Sequence, residues 1–302
     1  TLGSPLVSTA DITKSGRGNL VLSVANTAGG GTRKTTINEG VLQIDALDKI
    51  GGNSGALVLA GGTLRFAGVF DPSVRTISIL AGGATFDTNS NNISFANALG
   101  SGAGALTKAG TGALTLNAAN TYAGDTTVSA GSLLQGRANA LGAVTNLLTV
   151  GSAGTVDLKG FALTVSGLAN ISGAGGVVTN TGSAATLTLD GSVNKTFAGA
   201  ITGAIALSKV GTFTQILTGA NSFTGGLTGV LTRDLNLYGV YSESFRFQGL
   251  RTFDRERFPP ITGVNQEVGL KGSFWQDRAS VNLGIFNIDR QNVALSWNNV
   301  VD

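Results

Sequence analysis

Apolar and polar residues alternate with a period of two in short runs along most of the chain. Leu20, Leu22 and Val24 alternate with Val21 and Ser23, and Leu114 and Leu116 with Thr115 and Asn117. Successive strand side chains point to opposite faces, so these runs predict strands with one face buried. Similar pieces are Leu57-Val58-Leu59, Leu64-Arg65-Phe66, Ala84-Thr85-Phe86 and Leu187-Thr188-Leu189, each set off by Gly, Asn and Ser turn residues.

The pattern repeats at long range. Counting from Lys14, Lys108 and Lys209, each copy has Gly two residues on (Gly16, Gly110, Gly211), then Asn (Asn26, Asn120, Asn221), then Gly (Gly30, Gly124, Gly225). The first two copies continue through Thr35-Thr36-Ile37-Asn38-Glu39-Gly40 and Thr126-Thr127-Val128-Ser129-Ala130-Gly131, the first after an insertion between Gly30 and Thr35. The third stops matching near Leu227. Self-similar short strands joined by tight corners predict a solenoid, here a right-handed parallel β-helix of roughly eleven rungs of about twenty residues, on the order of 50 Å long. Gly and Asn suit its corners because they accept left-handed backbone and close approach of the neighbouring rung.

Composition separates a second region. Charge is only 12% of the 302 residues. It is concentrated after Leu227, as are the aromatics, so the chain is read as a β-helix over 1–227 and a different β architecture over 228–302. There Val268, Leu270 and Phe274, then Ala279, Val281, Leu283 and Ile285, form apolar stripes opposite Glu267, Lys271, Ser280 and Asn282. Such stripes fit strands of an outer-membrane barrel. Trp275 to Arg278 reads as a short turn, and Gly249 to Gly263, with Pro259-Pro260, as a longer loop.

Chemistry is sparse. The chain has no His, Cys or Met, which removes imidazole and thiolate metal ligands, disulfides, a Cys nucleophile and His-based triads. No catalytic, cofactor or metal site is expected. A net charge of +3 without a basic aromatic cluster argues against nucleic acid. Thr1 to Thr9 carry neither a basic start nor an apolar core, so no targeting segment is read there. The Gly100 to Gly104 run lacks the Gly-Lys-Ser/Thr of a phosphate loop. Lys14, Lys108 and Lys209 read as one solvated, solubilising side chain per repeat. Asn26, Asn120 and Asn221 read as turn closers or members of a polar ladder. The enzymatic alternative, a polysaccharide-acting β-helix, would need paired carboxylates, and among the nine within 1–227 only Asp45 and Asp48 are close in sequence.

The run from Gly104 to Leu133, with Lys108-Ala-Gly110-Thr-Gly112 and Asn120-Thr-Tyr122-Ala-Gly124-Asp-Thr-Thr-Val128-Ser-Ala-Gly131, resembles the passenger-associated repeat of bacterial autotransporters. Ile12 to Ile44 and Ile205 to Gly226 resemble the same repeat, the third with Phe213 where the others have Gly18 and Gly112. The resemblance implies a secreted β-helix on the bacterial surface, structural or adhesive, whose repeats assist export. Asn236 to Gln248, with Tyr238, Tyr241 and Phe245, and Asn265 to Val293, with Glu267, Gly269, Lys271 and Gly272, resemble part of a TonB-dependent siderophore receptor barrel. That implies contact of the C-terminal segment with the outer membrane or its assembly machinery. Siderophore is a partner only if the receptor part defines the function. The passenger reading instead implies a host-surface or self-association partner.

Overall fold

The computed structural model describes residues 2–6, 9–26, 32–100, 102–232, 235–246, 261–274 and 279–291. The chain divides into two compact units. One runs to Phe223 without Ala206–Ser208, and the other takes those three residues and the chain from Thr224 onward.

Alternation and tight corners produce a parallel β-solenoid of about ten turns in the first unit. Strand Ile12–Lys14 pairs with Thr35–Ile37, that with Ala56–Leu59, and that with Thr76–Ile79, all parallel. A second sheet stacks Asn19–Val21, Val41–Ile44, Thr63–Phe66, Ala84–Asp87, Leu106–Ala109, Thr126–Gln135 and Leu147–Asp157. Paired residues lie roughly 20 to 24 positions apart, one rung of a solenoid each.

In-register stacking turns the period-two pattern into lanes. Leu20, Leu42, Leu64, Phe86, Lys108, Val128 and Val150 follow one another up an inward lane. Each fully buried Leu or Phe of such a lane contributes about 1.5–3 kcal/mol. Phe66, Phe86 and Phe95 fill one stretch of the column, with Phe86 edge-on to Phe95 at 5.0 Å between centroids. Outward, half-buried Thr63, Thr85, Thr107, Thr127 and Thr149 form a continuous ladder. Hydroxyl and methyl ladders of this kind support pairing between stacked strands.

In the second unit, Gly226–Thr232, Leu235–Arg246, Ile261–Phe274 and Ala279–Gln291 form an antiparallel meander. Residues 261–263, expected in a loop, instead open the third of these strands, because Ile261 pairs with Arg246 and extends the ladder to its end. Residues 249–260 and 275–278 of the expected loop and turn lie outside the described residues. Register places Val268 opposite Ile285, Leu270 opposite Leu283 and Gly272 opposite Val281, so the apolar stripe is continuous across these strands. Alternation is not strict, because Phe286 stands opposite Glu267 and Ile288 opposite Asn265, on the other face.

Candidate functional site

The geometry that recurs between the repeat copies centres on their lysines. In each copy Lys follows an inward-facing apolar residue by two positions: Ile12 and Lys14, Leu106 and Lys108, Leu207 and Lys209. Strand parity therefore drives the lysine stem into the column. Lys108 is 0% exposed and Lys14 6%, and Lys209 is half-buried. The expectation of solvated, solubilising lysines is corrected here: phase along the strand outweighs the preference of the charge for water, because the corner supplies its partners.

Those partners are backbone carbonyls of two successive rungs. Lys108 Nζ donates to the carbonyl oxygens of Ala109 at 2.9 Å, Gly110 at 2.8 Å and Ala130, one rung on, at 3.0 Å. Lys14 Nζ likewise donates to Ser15 and Gly16 in its own turn and to Glu39 in the next. Register with the following strand shifts between Val128 and Ala130, where the Ala130 carbonyl meets the ammonium. An ammonium has three N–H donors and an amine two, so only the charged form serves all three carbonyls. Burial pushes Lys108 down to about 8, while the carboxylate of Asp87 pulls it back up. At neutral pH it stays an ammonium.

Two glycine positions make the corner possible. Gly16, Gly110 and Gly211 take left-handed backbone, φ 72°, 76° and 73°, which turns their carbonyls back to the ammonium. Gly40 and Gly131, φ 64° and 67°, lie over it. A Cβ on Gly131 would sit 2.9 Å from Lys108 Nζ and closer still to the Gly110 and Gly112 carbonyl oxygens. The third copy is built differently. Lys209 Nζ donates to Val210 and Gly211 at 2.8 and 2.9 Å, and the Phe213 ring lies 4.0 Å from it. Phe213 thus takes up the ammonium face that a carbonyl of the next rung takes up in the first two copies. Burial lowers Lys209, with Asp190 opposing.

The asparagines join rungs. Asn120 Oδ1 accepts from Leu99 N at 2.7 Å, one rung below, and its Nδ2 donates to the Ala140 carbonyl one rung above. Asn26 does the same between Leu6 N and the Lys49 carbonyl. Asn221 accepts from Ile201 N at 2.9 Å but donates within its own rung, to Gly219. Gly124 lies against the backbone of Gly104 and Ala105, and Gly225 is a half-buried bend residue. Gly30 lies outside the described residues.

The remaining candidates do not converge on these corners. Asp45 and Asp48 flank one cation, Lys49 Nζ, at 3.4 and 2.9 Å, an arrangement that neutralises the pair. Tyr238, Tyr241 and Phe245 lie along strand Leu235–Arg246. Glu267, Gly269, Lys271 and Gly272 share strand Ile261–Phe274, where Gly269 faces Gly284 and Glu267 faces Phe286. Sequence reasoning missed the two buried arginines, Arg33 and Arg75, each 2% exposed. Neither belongs to the repeat motif, so repetition held no signal for them.

Comparison with known proteins agrees with the repeat geometry. The family model of the passenger-associated-transport-repeat matches residues 12–44, 106–134 and 207–229, in each case including the lysine corner. These three stretches are passenger-associated-transport repeats. The chain that carries them is 39% identical over 206 residues to the adhesin BmaC autotransporter of Brucella suis biovar 1 (strain 1330), a match covering 68% of this chain and 6% of that protein. It is also 32% identical over 76 residues to the ferric-pyoverdine 358 receptor of Pseudomonas putida, covering 25% of this chain and 9% of the receptor. The chain therefore spans under a tenth of the length of either relative. No solved structure matches it. The first two matched stretches thus lie on the solenoid, each with a buried lysine at a corner where consecutive rungs meet, while the third carries the half-buried Lys209 and runs on into the second unit.

Proposed function

We propose that the solenoid is a non-enzymatic part of an autotransporter-type passenger, displayed on the bacterial cell surface, where it acts as a structural and adhesive rod. The observation that carries this reading is the set of three passenger-associated-transport repeats, two wholly and the third in part on one parallel solenoid, in a chain similar over 206 residues to an autotransporter adhesin. Mechanistically, the lysine corners of the first two copies complete only when the next rung supplies its carbonyl, as Glu39 does for Lys14 and Ala130 for Lys108. A rung added outside the membrane locks the one before it, which opposes return of the chain and favours one-way export. Stacking also presents the Thr ladder and corner loops repeatedly along one axis, a geometry suited to many weak contacts acting together.

Adhesion is tested with beads coated with the full chain and incubated with epithelial monolayers, against albumin-coated beads. Retention well above the albumin level is expected, and equal retention overturns the adhesive role. Antibody labelling of intact source cells tests display.

A second reading rests on the meander. Its continuous apolar stripe and its similarity to the receptor favour descent of the last 75 residues from barrel strands, and with it an outer-membrane role in siderophore uptake. Flotation of the chain with phospholipid vesicles separates the two readings. Recovery in the aqueous fraction supports the passenger reading, and co-flotation supports the membrane one.

A further inference from the structure

The solenoid column contains two arginines, and they are treated in opposite ways. Arg75 donates through Nε to Gly55, through Nη1 to Ile50 and Gly52, and through Nη2 to Arg33 and Ala56, all carbonyl oxygens. Its five N–H donors are all used. Arg33, whose carbonyl is one of those acceptors, is as deeply buried, yet its Nε and Nη2 have no hydrogen-bond partner among the described residues. Two positions on, Thr35 is 0% exposed and its Oγ1 is likewise without a partner.

The unpaired atoms are not a random set. Nε and Nη2 form one edge of the guanidinium, the edge that presents two parallel N–H groups to a carboxylate, phosphate or sulfate. Arginine does not give up its proton, so the charge of Arg33 stays in place. Nearby carboxylates are engaged elsewhere: Asp11 with Lys34, and Asp45 and Asp48 with Lys49. Arg75 adds a second buried positive charge through its bond to the Arg33 carbonyl. A buried charge and two buried donors without acceptors are costly unless a counter-charge meets them. The flanking residues Thr32 and Lys34 are exposed, so the segment lies next to solvent. Arg33 belongs to the stretch inserted in the first repeat, and the corresponding corner of the second repeat, between Gly124 and Thr126, has only Asp125.

We propose that this corner is an oxyanion-binding site, in which the Nε/Nη2 edge of Arg33 and the Thr35 hydroxyl hold a tetrahedral phosphate- or sulfate-type group, with Arg75 adding charge behind it. Three donors around two cations suit a tetrahedral oxyanion of higher charge better than a monovalent carboxylate. The site would let the solenoid bind phosphorylated or sulfated groups at one place within the 12–44 repeat, independently of the repeat lysines.

The test is calorimetric titration of the full chain with inorganic phosphate, then sulfate and acetate, at constant ionic strength. Saturable binding of one phosphate is expected, with acetate at least tenfold weaker. Arg33→Gln should abolish the signal, and Lys34→Gln should leave it within about twofold. Should Arg33→Gln fail to fold, Thr35→Val serves, with at least a threefold loss expected. No saturable phosphate or sulfate binding to the unmodified chain overturns the proposal. Binding unchanged in Arg33→Gln, or in Thr35→Val where that variant is used, also overturns it. Acetate binding as tight as phosphate would overturn the tetrahedral assignment and identify a carboxylate site.

Discussion

Replacing Lys108 with Met is the sharpest perturbation of the repeat corner. Methionine nearly matches the lysine stem in volume, so no cavity is opened and the ammonium is isolated as the variable. Two effects compete. Burial moves the lysine from 10.5 to about 8, and at about 1.36 kcal/mol per unit the charged native form bears a penalty of about 3 kcal/mol. Against it stand three bonds from a charged donor, to Ala109, Gly110 and Ala130 at 2.8–3.0 Å, each about 1.5–3 kcal/mol. Ala109 keeps other donors after the change, Thr88 N at 2.9 Å and Thr88 Oγ1 at 3.1 Å. The exposed cost therefore falls on Gly110 and Ala130. Hydrogen bonding wins, and Lys108→Met is expected to destabilise by about 2–4 kcal/mol. Lys209→Met, at a half-buried corner with two carbonyls and a ring, should cost about 1 kcal/mol or less. Urea unfolding followed by circular dichroism gives the global values, and amide exchange over Val128 to Ser132 locates the loss. If Lys108→Met is as stable as the parent, or the two variants cost the same, the carbonyl corner is not what holds these rungs.

Three further outcomes follow from the same geometry. Because the native Lys108 sits near 8 and the unfolded one near 10.5, the unfolded chain binds more protons between those values. Its contribution to stability should be flat below about pH 8 and rise by up to about 3 kcal/mol towards pH 10.5, and urea midpoints of Lys108→Met should lack that rise. Gly131→Ala forces a side chain into left-handed backbone against the Gly110 and Gly112 carbonyls and Lys108 Nζ, and should cost about 3 kcal/mol or more in the same assay, Gly40→Ala behaving alike. Asn120→Ala leaves Leu99 N and the Ala140 carbonyl unpaired in a buried setting and should cost about 2–4 kcal/mol, while Asn221→Ala, exposed, should cost about 1 kcal/mol or less.

Legibility in the sequence tracked locality. Alternation at Leu114-Thr115-Leu116 marks its strand because the period-two signal lies within the strand itself. The repeat motif marks Gly16, Gly110 and Gly211 because a left-handed turn is set by its own residue. The lysines differ from the solvated expectation because Leu106 and Lys108 share a strand phase, and parity outweighs the preference of charge for water. The reason for their burial, a carbonyl from about twenty-two residues on, is a property of stacking. Asn120 depends likewise on partners in the rungs on either side, at spacings that vary from rung to rung. Arg33 and Arg75 carry no periodic signal, since their partners are carbonyls fixed by corner geometry. In the meander the stripe from Val268 to Leu283 was readable by parity, whereas Phe286 and Ile288 fall on the opposite face and blur it.

Lysine-selective acetylation of the native chain, read residue by residue by mass spectrometry, tests the central claim that the repeat lysines lie inside the solenoid and bind its rungs. Exposed Lys34 and Lys159 should react at rates typical of free amines, Lys209 more slowly, and Lys14 and Lys108 only after unfolding in denaturant. Reaction of Lys108 in the native chain as fast as Lys34 would return it to the surface and contradict the account.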